Sequence, residues 1–370
     1  VAEIRVENLH KSFGEFVAVK NSSFTVASGE FFVMLGPSGC GKTTTLRMIA
    51  GLELPSSGLI RLDGDDVTQL RASARDIAFV FQLFALYPHM NVRKNIAYPL
   101  ANQGVAKPEI KTRVEEAART LRIGHLLDRS VSGLSGGDRQ RVALGRAIVR
   151  NPKAFLMDEP LGALDTELRE AMIAELRALH DRLGATTLYV THDQLEAMAM
   201  ADKIAVMNKG VIEQFDTPQQ IYGRPATLFV ADFIGSPPMN LIPCRGPLAP
   251  GATTVQVGET VAGIPAVLDG TTATDLVLGV RPEQVQLVDE GGLRGEVFGA
   301  EYLGTTQIVT LRTGAGTVRA RLSSAETVTV GAPVGLAFRP EKLSLFDKAT
   351  GRALRTAWTV AAETKGHRRG

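Results

Sequence analysis

Gly36, Pro37, Ser38, Gly39, Cys40, Gly41, Lys42 and Thr43 follow one another in the pattern of a loop that holds phosphate. Such glycines let successive N–H groups turn toward phosphate oxygens, and a following helix adds positive potential at its N-terminus. Lys42 is expected to reach the β- and γ-phosphates and Thr43 to hold Mg²⁺. Thr44 continues the same helical turn and belongs to the phosphate-binding set. Downstream, the apolar run Ala154–Met157 ends in Asp158 and Glu159. Asp158 suits the Mg²⁺ shell, and Glu159 suits the base that polarises an attacking water. A third apolar run, Leu188–Thr191, ends at His192, within reach of a γ-phosphate oxygen. A lone histidine is usually structural, but its place after such a run favours the functional role. Gln82 ends the run Ile77–Phe81, and its amide is placed to sense Mg²⁺ and the water. Asp193 and Glu196 read as a helix-starting cap pair. The chemistry is phosphoryl transfer, which needs positioning and charge stabilisation more than covalent steps.

Groups of this kind must be presented at the carboxyl edge of a sheet. Phe31–Leu35, Ile77–Phe81, Ala154–Met157, Thr187–Thr191 and Ile204–Met207 are the strand candidates, and helical patterns alternate with them to about residue 235. The expected fold is therefore an α/β domain with a parallel or mixed sheet covered by helices. Leu168, Met172, Leu176, Leu179 and Leu183 form a one-sided stripe after Asp165, which is core packing. Residues 88–150 read as a helical subdomain. After Ser236-Pro237-Pro238 the texture changes to short Val/Thr-rich runs between glycine turns, an all-β region expected to form a small barrel. The division is expected at 235/236, with a frayed basic tail from Lys365 to Arg369. Gly279-Val280-Arg281-Pro282-Glu283 is echoed by Ala337-Phe338-Arg339-Pro340-Glu341. Either two related half-units or chance at a turn-forming Arg-Pro-Glu accounts for it.

The chain has 370 residues, enough for two or three domains with a sizeable core. A formal net charge of +2 is too small for a nucleic-acid footprint. No apolar run approaches the ~18 residues that a membrane-spanning helix needs. No signal peptide is visible, and Val1 in place of Met points to a processed or incompletely recorded start. Cys40 and Cys244 are too few for a disulfide framework, which fits a reducing cytosol. Cys40, beside a helix N-terminus, is expected to favour thiolate, so that its alkylation would block nucleotide binding.

Gly36–Thr43, Gln82, Leu134-Ser135-Gly136-Gly137, Asp158-Glu159, Asp165 and His192, in this order, resemble the nucleotide-binding subunits of ATP-binding cassette (ABC) transporters, over residues 3 to about 240. Phe84–Met90, Thr191-His192-Asp193-Gln194 and Ile234-Gly235-Ser236-Pro237 look like the maltose-type importer branch. That branch serves carbohydrates, polyols and glycerol phosphate esters. It carries a C-terminal barrel of oligonucleotide-binding (OB) type, used for regulation and dimer contacts. The resemblance implies an ATPase with ATP and Mg²⁺ as cofactors, in which two subunits sandwich two ATP molecules head to tail. Each site would take Lys42, Thr43, Gln82, Asp158, Glu159 and His192 from one chain and Ser135, Gly136 and Gly137 from the other. Phe13 would stack on adenine, and Asp165 would couple the two sites. The implied partners are a second ATPase subunit, identical or not, transmembrane permease subunits and, indirectly, an extracytoplasmic solute-binding protein. The implied place is the cytoplasmic face of the inner membrane, as a peripheral protein. An alternative is a soluble ATPase of the same superfamily acting on DNA or ribosomes. No sustained heptad pattern supports a repair-type coiled coil.

Two segments depart from the family pattern. Asp138 stands where the signature ends in Gln, and Leu161-Gly162-Ala163-Leu164 differs beside Asp165. Ser135 and Asp138 have the spacing of a capping pair. A carboxylate there either repels a facing phosphate by about 1 kcal/mol or turns toward Arg139, Arg141 or solvent. In a heterodimer it would weaken only the partner's site.

Overall fold

The structure, a computed structural model, describes residues 2–360. Val1 and the basic tail from Lys365 to Arg369 lie outside the described residues. Ile4–Phe13 (β1) and Phe16–Val26 (β2) form a hairpin, and Phe31–Leu35 (β3) leads through the phosphate loop into Lys42–Ala50 (α1). Ser57–Leu62 (β4), Asp65–Asp66 (β5) and Ile77–Val80 (β6) follow, then Val92–Asn102 (α2), Lys107–Thr120 (α3) and Gly136–Ile148 (α4). Ala154–Asp158 (β7), Thr166–Leu183 (α5), Thr186–Thr191 (β8), Gln194–Met200 (α6), Lys203–Asn208 (β9) and Val211–Asp216 (β10) come next.

Six of these strands make one sheet in the order β10-β9-β3-β8-β7-β6, parallel except for β10. Every residue of β3, β7 and β8 is buried. Their unbroken apolar runs are what two-sided cover by helices demands. A second, antiparallel sheet, β2-β1-β4-β5, lies outside the strand candidates read from the sequence. The two sheets share a core that includes Ile4, Leu9, Met34, Leu46, Leu156 and Met207. On α5, Met172, Leu176 and Leu179 are buried as expected, but Leu168 is half-buried and Leu183 exposed. His180 is buried there too, with Nδ1 3.0 Å from Thr187 Oγ1.

Arg75 anchors the far end of α1. It is buried and donates to the carbonyl oxygens of Met48 and Ile49, at 2.7 and 2.8 Å, and of Thr68 and Leu70. It thereby adds a partner for the Ile49 carbonyl at the helix end and a second one for that of Met48, which also accepts the Gly51 N–H.

The chain divides into two compact units, Val1–Pro218 and Gln219–Gly370. The break therefore lies before Pro218–Gly223 (α7) and Leu228–Phe233 (α8) have been passed, rather than at 235/236. Apolar packing explains the difference, because Ala231 joins Met239, Val277 and Phe346 in one cluster. Arg281, also buried, donates to the carbonyl oxygens of Tyr222 and Ile234.

The second unit holds Asn240–Arg245 (β11), Thr254–Val257 (β12), Thr260–Gly263 (β13), Asp275–Val280 (β14), Val285–Val288 (β15), Leu293–Tyr302 (β16), Thr306–Thr313 (β17), Gly316–Ser323 (β18), Pro333–Phe338 (β19) and Ser344–Asp347 (β20). They form two five-stranded antiparallel sheets, β13-β12-β11-β14-β20 and β15-β19-β16-β17-β18. One core serves both, including Ile242, Leu278, Val297, Leu311, Leu336 and Leu345. This is the small OB-like all-β domain that was expected. The Arg-Pro-Glu echo has a structural counterpart. Each copy is a strand, a short 3₁₀ turn and a strand, and the copies pair reciprocally, β14 with β20 and β15 with β19.

Candidate functional site

β3 delivers Gly36 to a point with no room for a side chain. A Cβ there would lie 2.2 Å from the Met207 carbonyl oxygen. Gly41, at φ 109°, is equally confined, 2.4 Å from the Ala18 carbonyl oxygen. Only glycine fits at either position. Lys42 Nζ donates to the carbonyl oxygens of Gly36 and Pro37 at 2.8 and 2.9 Å. No side chain caps the first turn of α1, whose N–H groups face the loop. Ser38 and Gly39 are exposed; Pro37, Thr43 and Thr44 are half-buried.

Cys40 corrects an expectation. Its side chain is buried, and burial pushes the thiol above its ordinary pKa despite Lys42 Nζ at 3.9 Å. Desolvation of the anion outweighs the helix terminus and the nearby cation. Burial thus disfavours the thiolate at Cys40, against the expectation from its place beside a helix N-terminus.

Thr43 Oγ1 donates to Asp158 Oδ1 at 2.9 Å. Burial raises the Asp158 carboxyl above the usual carboxylate range, and the Thr43 hydrogen bond opposes this only in part. A hydroxyl and a carboxylate side by side fit Mg²⁺, which binds through one or two carboxylates, phosphate oxygens and waters. Among the described residues no three His, Cys, Asp or Glu side chains form a protein-only metal cage. The Thr43–Asp158 pair leaves room in the shell for phosphate oxygens and water.

Glu159, at φ 42°, turns sharply off the end of β7, and its N–H donates to the Val190 carbonyl oxygen at 3.0 Å. Its Oε2 accepts from Gln82 Nε2 at 3.3 Å and lies 3.1 Å from His192 Nδ1. Three neighbouring strands, β6, β7 and β8, thus bring one residue each to a single carboxylate oxygen. The left-handed backbone at Glu159 costs on the order of 1 kcal/mol and re-aims the side chain.

A second layer fixes His192. Asp193 caps α6 at the N–H groups of Leu195 and Glu196. Buried Glu196 accepts from Tyr189 and Thr191 hydroxyls at 2.8 and 2.7 Å. Burial raises its carboxyl. Arg169 on α5 ties this layer to the segment before it, donating to the Leu164 carbonyl oxygen at 2.9 Å and to Asp193 at 3.4 Å. Asp165 is exposed and caps α5 through the Leu168 N–H at 2.9 Å.

Ser135, Gly136, Gly137 and Asp138 stand apart from this group. A Cβ on Gly136 would meet Leu164, and one on Gly137 would come within 3.0 Å of Leu168. Ser135 Oγ accepts the Asp138 N–H at 3.1 Å, the expected cap, and donates to Asp138 Oδ2 at 2.8 Å. Asp138 Oδ1 accepts from Arg141 at 3.1 Å, and Arg141 also grips Glu175 through bonds of 3.1 and 3.0 Å. Arg139 turns elsewhere, to the Leu134 carbonyl oxygen. Phe13 is exposed at the β1–β2 turn, with Lys11 Nζ 4.7 Å from its ring centre. The same hairpin presses Ala18 against Gly41.

Sequence reasoning missed Arg169 and Arg146. Arg146 donates to the carbonyl oxygens of Phe84 and Ala85 at 3.0 and 2.7 Å and so holds the loop after Gln82. Nothing in their spacing marks either arginine.

A glycine-bound phosphate loop at the carboxyl edge of a parallel sheet, with Asp158, Glu159, Gln82 and His192 beside it, defines a P-loop nucleotide-binding domain. Residues 19–162 match the ABC transporter family profile, and residues 278–346 match that of the TOBE domain. The chain is 46% identical over 375 residues to the trehalose/maltose import ATP-binding protein MalK of Thermococcus litoralis, covering 96% of this chain and 100% of that one. It is also 46% identical over 357 residues to the sn-glycerol-3-phosphate import ATP-binding protein UgpC of Ruegeria pomeroyi, covering 96% and 99%. Among solved structures, cbiO1 of Clostridium perfringens, part of the ABC transporter complex cbiONQ, superposes with a TM-score of 0.56 at 28% identity, over 59% of this chain and 89% of that one. The chain belongs to the ATP-binding subunits of ABC transporters. The DNA- or ribosome-acting alternative gains no support from these relatives.

Proposed function

We propose that this chain is the ATP-hydrolysing motor of an importer for a carbohydrate, polyol or glycerol-phosphate-like solute. The observation that carries the reading is the meeting of Gln82, Glu159 and His192 beside Lys42, Thr43 and Asp158. Lys42 and the α1 N–H groups bind the β- and γ-phosphates. Thr43 and Asp158 hold Mg²⁺, which supplies charge neutralisation between the phosphates when bound. Glu159 takes the proton of the attacking water, Gln82 orients that water, and His192 contacts the γ-phosphate.

A second subunit, a copy or a near relative, is needed to bring Ser135–Gly137 over the terminal phosphate. ATP then holds the pair together and hydrolysis releases it. Permease subunits dock in the cavity of about 510 Å³ lined by Phe79, Phe81, Tyr87, Tyr98, Gln103 and Arg146, next to Gln82. Among the described residues no helix is long and apolar enough to cross a membrane, so a peripheral place at the cytoplasmic face follows from those partners. A solute-binding protein acts only through them. Reconstituting the chain with its polytopic partners in vesicles provides the test. Solute-loaded binding protein should stimulate ATP hydrolysis severalfold, and hydrolysis indifferent to the partners would overturn the reading.

A further inference from the structure

The signature serine has one proton to give. A hydroxyl donates a single hydrogen bond, and here Ser135 Oγ–H is directed at Asp138 Oδ2, 2.8 Å away. The same oxygen accepts the Asp138 N–H, so both ends of the hydroxyl are engaged by residue 138. The bond is charge-assisted, the stronger kind. Asp138 is itself held in place. Arg141 clamps its other oxygen, and two bonds to Glu175 on α5 fix Arg141. The carboxylate is therefore an oriented acceptor and not a free surface charge. Glutamine at this place, as in the family pattern, carries no charge and competes weakly for a hydroxyl proton.

We infer that Asp138 is an autoinhibitory latch on the signature: it competes with the partner-bound terminal phosphate for the Ser135 proton. The inference rests on the two-chain reading above. Closure then requires the Ser135 hydroxyl to rotate away from Asp138, and the carboxylate stays behind, neutralised by Arg141. Closure occurs, but at a higher nucleotide concentration. The latch sets the nucleotide level at which the motor engages and leaves the hydrolytic residues untouched.

The test uses the full chain with Glu159→Gln, which blocks hydrolysis, and follows ATP-driven pairing by sedimentation. Adding Asp138→Gln should lower the half-saturating ATP concentration about tenfold, equivalent to about 1.4 kcal/mol. Asp138→Asn, which keeps the shape of the residue but not its charge, should give most of that shift. In a Ser135→Ala background the Asp138→Gln shift should shrink to about twofold, because the proton in dispute is gone; such non-additivity reports a direct coupling. A cap that acts only on stability would change Tm and leave the two substitutions additive. Pairing with an unchanged half-point in both Asp138 variants overturns the latch alone. Intact ATP binding with no pairing in any variant overturns the two-chain reading and the latch with it.

Discussion

The phosphate-loop edge and the signature segment each end in a carboxylate and each depend on glycines, yet they arrange their hydrogen bonds in opposite ways. At the loop, the cation of Lys42 rests on neutral carbonyl oxygens, and the Thr43 hydroxyl donates to Asp158, whose carboxyl burial holds above its ordinary pKa. An incoming phosphate offers these donors a better acceptor. At the signature, the donor hydroxyl already faces a full charge locked by an arginine. The first edge is poised to accept a ligand and the second is guarded against one. The comparison teaches that matching a motif in letters fixes which atoms are present, while the neighbours decide how readily they are given up.

The largest effect that would sharpen this contrast is at Glu159. Replacing it with Gln should lower phosphate release on the order of a thousandfold while ATP binding, measured by nucleotide fluorescence, is retained. Ordinary turnover would remove Glu159 from the base role and break the picture of a poised edge. Lys42→Ala should come next, weakening ATP binding about a hundredfold, since a charge-assisted contact to phosphate is lost. Equal affinity in a direct titration would show that the cation is structural.

Arg169→Met tests the layer behind His192. Turnover should fall about tenfold through a small misplacement of the reacting groups, with the ATP dissociation constant unchanged. Arg169→Lys should recover part of the loss. A change in affinity with unchanged turnover would reverse the assignment. The smallest effect is one of pH. Because burial raises the Asp158 carboxyl, it takes up a proton at higher pH than a free aspartate, and a protonated carboxyl is a poor Mg²⁺ ligand. The Mg²⁺ concentration for half-maximal hydrolysis should thus rise as the pH is lowered through the acidic range, sooner than it would with an ordinary aspartate. A flat Mg²⁺ requirement across that window would place the metal elsewhere.

Much of the candidate edge was open to sequence reasoning because it is local. Gly36–Thr43 sits on one strand, one loop and one helix turn, and Asp158-Glu159 closes an apolar run. His192 and Gln82 were legible through a weaker rule, their place at strand ends. What spacing could not show was set by distant contacts. Cys40 read as reactive from its neighbours in sequence, but Gly36 and the packed core around it decide its burial. Arg169 gains its role from a carbonyl five residues back and from a carboxylate on another element. β11 hid in a proline-rich stretch. It pairs fully with β14 but touches β12 only at Arg245 and Gln256, so the missing N–H of Pro243 is tolerated.

The reciprocal pairing in the second unit carries a consequence for assembly. Leu278 pairs with Leu345 and Leu287 with Leu336, so each Arg-Pro-Glu copy completes the sheet that the other begins. Closing such long chain loops before any reward is collected is slow. During synthesis β14 must wait, with one edge open, until β20 has left the ribosome.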